Sequence, residues 1–233
     1  MASAKEKFKV MHNVFDEHTN RLIFKLISQG YFKGLESPIS IGKEANIFSA
    51  VTKQDERVAV KIYRLESADF NRMYDYLKMD PRYLHLKKQK RNIIFTWAQR
   101  EYRNLFLARE AHVRVPQPIV FKDNILVEEL IGGENPASKV NKVIPKNPKA
   151  FFDKVIKNIK NLYKAKLVHA DLSPFNILNY KEEPVFIDFS TCTTLENDRA
   201  QEYLERDIYN VCNFFKKLGV KIDEKKVLKE ITK

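Results

Sequence analysis

The sequence predicts an α+β protein of two lobes, a small sheet-rich one before residue 131 and a helical one after it. Short runs rich in Val, Ile, Phe and Tyr cluster between residues 46 and 131, whereas apolar residues at helical spacing mark 91–110, 147–166 and 199–218. Strands thus come first and most helices later, with no internal repeat or low-complexity tract. The expected division is an N-terminal helical segment at 1–35, a first lobe at 36–131 and a second at 132–233. A chain of 233 residues, 44% of them apolar and 12% aromatic, buries a core without disulfide staples and is not disordered by composition.

Val10, Val14, Phe15, Leu22, Ile23, Phe24 and Ile27 recur at helical intervals, and Gly30 then Gly34 end the run, so 6–30 is read as one or two helices. After Pro38 the rhythm changes. Residues 46–52 and 56–63 form a β-hairpin about the turn Lys53-Gln54-Asp55, with Lys61 on its second strand. The charged, aromatic stretch 66–90, with Pro81 inside it, suggests short helices or a loop. Ile94, Trp97, Ala98, Leu105 and Ala108 then describe a long helix with Glu101 near its middle. Pro116 and Pro118 follow that helix, and 119–131 is a second hairpin about Lys122-Asp123-Asn124. Gly132 and Gly133 make a hinge-like pause before a basic amphipathic helix at 147–166. Strand or loop pieces at 167–180 and 184–189 precede the last predicted helix, 199–218.

Several classes of chemistry are excluded early. Cys192 and Cys212 lack the short paired spacings of a zinc site or disulfide framework, and the five histidines are scattered. Charges interrupt Met1–Asn20, as no secretory segment would allow, and no apolar stretch approaches a membrane span. A soluble protein of a reducing intracellular compartment is expected.

The most informative stretch is Val168-His169-Ala170-Asp171-Leu172-Ser173-Pro174-Phe175-Asn176-Ile177-Leu178, followed by Phe186-Ile187-Asp188-Phe189-Ser190. It places carboxylates and an amide on apolar turns, where an uncompensated charge is costly. Taken singly, Asp171 and Asn176 are turn formers and Asp188 a strand-end cap. Together, His-x-Asp-x4-Asn and a later Asp have the spacing of a phosphotransferase loop. One carboxylate there orients or deprotonates the acceptor hydroxyl, and an amide oxygen with a second carboxylate holds Mg2+ on the phosphates. Upstream, Glu101 is placed to face Lys61, as in a clamp on nucleotide phosphates. Strand alternation alone leaves the burial of Lys61 open, and an exposed-end lysine would stabilise little. Ser40-Ile41-Gly42-Lys43-Glu44-Ala45-Asn46 sits where a phosphate-covering loop between the first two strands would lie, although its single glycine equally suits a plain hairpin turn.

SIGKEANIF, VAVKIYR, WAQREYRNL, VHADLSPFNIL and FIDFS closely resemble the RIO atypical protein kinases, in matching order from about 35 to 217. DFNRMYDYLKMDPR, residues 69–82, resembles the insert of the RIO-one subgroup. The RIO-two subgroup carries a winged-helix domain before the phosphate loop, where this chain has about 35 residues. The resemblance implies a bilobal protein-kinase-like fold of truncated, atypical form. It also implies a serine/threonine protein kinase and ATPase using ATP and Mg2+, with Mn2+ as a substitute metal. Asp171 matches the catalytic aspartate, Asn176 and Asp188 the metal ligands, Lys61 and Glu101 the phosphate-orienting pair, and Ser40, Gly42 and Lys43 the phosphate loop. Glu129 and Ile131 match hinge residues that meet adenine through backbone carbonyl and amide, and Pro136 a proline lining the pocket. Family members form an aspartyl phosphate on the residue matching Asp188. The family further implies cytoplasmic work on the maturing small ribosomal subunit, with its RNA and proteins as partners. The lack of long C-terminal extensions fits an archaeal or minimal form.

The chain departs from the family pattern at a few places. Ile41 replaces a threonine in the phosphate loop, and Glu128 stands where the hinge often holds methionine. Ser173 occupies the place of the lysine of ordinary protein kinases, and no Ala-Pro-Glu segment follows Asp188. The net charge of +12 gathers partly in Lys87-Lys88-Gln89-Lys90-Arg91 and partly in Lys221, Lys225, Lys226, Lys229 and Lys233. Each cluster is either a nucleic-acid contact or a solvated helix face. Phe70, Tyr74, Tyr76 and Tyr83 beside the first cluster suit RNA stacking and packing alike. Two rival functions remain open: a small-molecule phosphotransferase sharing the His-x-Asp-x4-Asn loop, and an RNA-binding scaffold that holds nucleotide with little catalysis.

Overall fold

The computed structural model describes residues 15–66, 69–133 and 135–233. The N-terminal part of the predicted 6–30 helix, with Val10 and Val14, lies outside the described residues. Helix α1 spans Glu17–Ser28, its N-terminus capped by Asp16, whose side chain accepts from the Thr19 amide at 3.0 Å. Strands β1 (Leu35–Ile41), β2 (Ala45–Val51) and β3 (Arg57–Tyr63) follow. The first of these was not predicted: with Glu36, Pro38 and two serines it lacks a run of β-branched or aromatic residues, and pairing with β2 makes it a strand.

Helix α2 (Phe70–Lys78) and a 3-10 turn at Pro81–Tyr83 lead to α3, Lys90–Glu110. Strands β4 (Pro118–Lys122) and β5 (Ile125–Glu129) complete an antiparallel five-stranded sheet of order β1-β2-β3-β5-β4. Its faces follow from strand alternation. Phe48, Ala50, Val58, Val60, Ile62, Ile125 and Val127 pack against Leu22, Ile23 and Leu26 of α1. The opposite face carries Ala59, Lys61 and Tyr63.

Beyond the hinge come β6 (Ser138–Lys139), α4 (Pro148–Lys164), β7 (Leu167–Val168), β8 (Ile177–Tyr180), β9 (Glu183–Phe186), β10 (Thr193–Thr194), α5 (Ala200–Lys217) and α6 (Glu224–Ile231). The largest core lies here, where α4, α5 and α6 pack on the short strands. It also takes in Leu105 and Ala108 of α3, so this helix joins both halves of the molecule. The lysine-rich tail is partly α6, with Val227 and Ile231 buried and Lys225, Lys226 and Lys229 exposed. That is the solvated face of an amphipathic helix. No described helix is long and apolar enough to cross a membrane.

Candidate active site

Lys61 is buried, not exposed at its end. Its Nζ stands 2.7 Å from Glu101 Oε1 and 3.0 Å from Asp188 Oδ1, joining β3, α3 and the segment after β9. Burial opposes the ammonium charge, but Asp188 and then Glu101 outweigh it and hold the Lys61 pKa well above its ordinary value. Glu101 is pushed up by burial despite Lys61, and it accepts a short hydrogen bond from the Tyr63 hydroxyl. Tyr63 follows Lys61 by two residues and shares its face, a signal that the strand register makes useful only once Glu101 is in place.

Asp188 does not cap a strand end. It lies two residues beyond β9 with φ 65°, a left-handed backbone that turns its carboxylate toward Lys61. Desolvation pushes its pKa up, but Lys61 and the Ser190 hydroxyl, which donates to Oδ1 at 2.9 Å, bring it down to about 2. Asp171 is shifted the other way, raised by burial and by the charge of Asp188. Asn176 connects the two segments. Its Nδ2 donates to the Asp171 backbone carbonyl at 2.9 Å and to Asp171 Oδ2 at 3.2 Å, and its backbone carbonyl accepts from the Ile187 amide at 3.0 Å.

A second layer, not singled out in the sequence, fixes this loop. Asp207 of α5 accepts from the amides of Ala170 and Leu172, both at 2.8 Å, and so grips the backbone on either side of Asp171. Ala170 has φ 64°, which the grip and a short bond from Arg206 to its carbonyl maintain. Burial raises Asp207 to about 8. His169, lowered to about 4 by burial and so neutral near pH 7, hydrogen-bonds the Ile187 carbonyl at 3.1 Å. On the other side, the RIO-one-like insert is anchored by buried charges: Asp80 pairs with Arg82 at 2.6 Å and with fully buried Arg100 at 3.2 Å. Asn104 beside them donates to the carbonyls of Phe189 and Cys192 at 2.9 and 2.8 Å, immobilising the chain after Asp188.

The other predicted site residues lie on β1, in the β1–β2 turn, at the end of β5 and in the segment after it. The turn at 42–44 closes with the Gly42 amide donating to the Ala45 carbonyl at 3.0 Å, and a Cβ on Gly42 would meet that oxygen at 2.8 Å. Ser40 ends up exposed near the tip of β1, as does Lys43 in the turn. Glu129 closes β5; its amide donates to the Gln117 carbonyl, while its carboxylate turns outward to Arg114, 2.7 Å from Nη1. Ile131 is buried, its carbonyl accepting from the Ala137 amide at 2.8 Å. Pro136 is exposed and bridges to Gly132, whose φ of 152° and crowding by the Asn135 carbonyl leave no room for a side chain. Of the aromatics beside the first basic cluster, Tyr83 is buried and Tyr76 stacks on Tyr203 at 5.8 Å, which is packing. Lys87, Lys88 and Arg91 remain exposed.

An antiparallel five-stranded sheet joined by a hinge to a helical half, with a Lys–Glu–Asp cluster between them, defines a protein of kinase-like fold. The solved Rio2 kinase–ADP/Mg2+–phosphoaspartate complex from Chaetomium thermophilum is similar to it, with a TM-score of 0.69, 23% identity, and coverage of 90% of this chain and 65% of that one. The family model of the RIO domain matches residues 46–227. RIO-type serine/threonine-protein kinase Rio1 of Haloferax volcanii is 40% identical over 94% of this chain and 76% of its own length. The protein of the same name from Methanocaldococcus jannaschii is 35% identical, over 97% and 78%. The chain belongs to the RIO domain family, and within it to the RIO-one group of RIO-type serine/threonine-protein kinases.

Proposed function

We propose that the protein is an ATP-dependent serine/threonine kinase and ATPase that acts in the cytoplasm on the maturing small ribosomal subunit, and that Asp188 is phosphorylated during its cycle. The observation that carries the catalytic part is the Lys61 ammonium held between Glu101 and Asp188. Lys61 aligns the α and β phosphates, Glu101 fixes Lys61, and Tyr63 fixes Glu101. The base lies against the hinge at Glu129 and Ile131, with Pro136 at its edge, and Ser40, Gly42 and Lys43 cover the phosphates. The same reading divides the chain at 131/132, the base sitting on that boundary.

The residues present suit Mg2+. Asp188 is ionised across the neutral range, and the commitment of Asn176 Nδ2 to Asp171 leaves the amide oxygen as a second hard donor. Among the described residues no cluster of three or more His, Cys, Asp or Glu exists to hold a metal, which fits an ion shared with substrate phosphates. Bound Mg2+, or Mn2+ in its place, would neutralise charge on the phosphates. Asp171, raised in pKa, orients the acceptor hydroxyl and takes its proton as the γ-phosphoryl group moves to the hydroxyl oxygen and ADP leaves. In the ATPase branch an Asp188 carboxylate oxygen forms the new bond to the γ-phosphorus as the phosphorus–oxygen bond to ADP breaks and ADP leaves, and water later hydrolyses the acyl phosphate to free phosphate and the Asp188 carboxylate. The phosphoaspartate of the solved Rio2 complex, found there with ADP and Mg2+, supports that branch. The exposed Lys87, Lys88 and Arg91 support an RNA-bearing partner.

Incubation with γ-labelled ATP tests the branch. Label on the protein should be released by hydroxylamine, as an acyl phosphate is, and should be absent from Asp188→Asn. Label that resists hydroxylamine and persists in Asp188→Asn would mean Ser or Thr autophosphorylation instead.

A further inference from the structure

Glu128 is the residue on the cleft side of the sheet that the mechanism leaves unused. The β3–β5 register pairs it with Ala59, as it pairs Leu126 with Lys61. Alternation therefore puts Ala59, Lys61, Leu126 and Glu128 on one face, while Val58, Val60 and Val127 go to the other, under α1. Glu128 thus stands about 7 Å along the strands from Lys61, on the hinge side. It is half-buried, and within the described residues no hydrogen bond or ion pair reaches its carboxyl. A polar group placed so, between apolar strand positions and next to the hinge, is short of a partner.

A purine base supplies one. Adenine carries an amine at its six-position with two protons, and the Glu129 carbonyl on the proposed reading takes one of them. We propose that Glu128 is a specificity-determining residue whose carboxyl oxygen accepts the second proton of the adenine amine. This rests on the nucleotide-site reading above. Burial, then the charge of Glu101, pushes the Glu128 carboxyl up to about 8. Near neutrality it is thus largely uncharged, adds little repulsion to a triphosphate, and still offers its carbonyl oxygen as acceptor.

The test is a double-mutant cycle with one change made on the ligand. Calorimetry with Mg2+ would compare ADP with purine riboside diphosphate, which lacks the amine, on the unmodified protein and on E128M. Loss of the hinge bond is common to both proteins and cancels. Removal of the amine should weaken binding to the unmodified protein by a further factor of about 3–10 over its effect on E128M. Thermal unfolding checks that E128M is folded, and E128L is read in the same way if it is not. Equal losses in both proteins would overturn the base-reading role and leave the nucleotide site standing. Absence of ADP binding to the unmodified protein would overturn both.

Discussion

Replacing Lys61 with methionine keeps most of the side-chain volume and removes only the ammonium. Glu101, with a side chain 1% exposed, then loses the cation 2.7 Å away, and Asp188 loses one at 3.0 Å. Breaking a buried pair by deleting one partner costs about 3–5 kcal/mol, because the remaining charge stays desolvated. At about 2–4 °C per kcal/mol for a chain of this size, the melting temperature should fall by roughly 6–20 °C at pH 7.5. The pH dependence has a definite sign. In the variant, Glu101 without Lys61 has a folded-state pKa raised above its unfolded value, so protonation favours the folded form and the deficit narrows as pH falls from 8 to 5. The depressed Asp188, near 2 when folded against an ordinary 3.8, loses its stabilising contribution only below about pH 4, outside this window. Adding Glu101→Gln to Lys61→Met should recover part of the loss. A melting temperature within about 2 °C of the unmodified protein would refute the buried clamp, and a deficit that widens on acidification would refute the assignment of the cost to Glu101.

Asp171→Asn should slow phosphoryl transfer by about 10²-fold or more while ADP–Mg2+ binding by calorimetry changes little, since the loss falls on the chemical step. Asp207→Ala would strand the Ala170 and Leu172 amides, each costing about 1–3 kcal/mol, so denaturant unfolding should show a loss of roughly 2–6 kcal/mol. Activity should fall with it as the Asp171 loop loosens. Neutralising Lys87, Lys88, Lys90 and Arg91 together should flatten the salt dependence of RNA binding by about 0.7–0.9 in log–log slope per phosphate contact removed, measured by filter binding. An unchanged slope would place the RNA contact elsewhere.

Sequence alone determined the elements whose signal is local and periodic: helices α3, α4 and α5, the two N-lobe hairpins, and the order of Lys61, Glu101, Asp171, Asn176 and Asp188 along the chain. They stood out as a set because the spacing His-x-Asp-x4-Asn and the flanking apolar runs survive without any knowledge of the third dimension. Strand β1 was not legible, because its residues have weak β preference and pairing with β2 supplies what the segment lacks. Helix α6 was hidden by the charges that cover its solvent face. Tertiary structure decided the burial of Lys61, whose partner Asp188 lies 127 positions away, and with it the difference between a solvated lysine and a clamp. It also recruited Tyr63, Asp80, Arg100 and Asp207, buried groups whose chemistry appears only where distant segments meet. The strand register likewise gave Glu128 its face, by pairing it with Ala59. The physical reason is common to all of these: periodicity records which side of an element is apolar, whereas a buried charge is tolerable only beside a particular opposite charge or donor, and that neighbour is chosen by the fold.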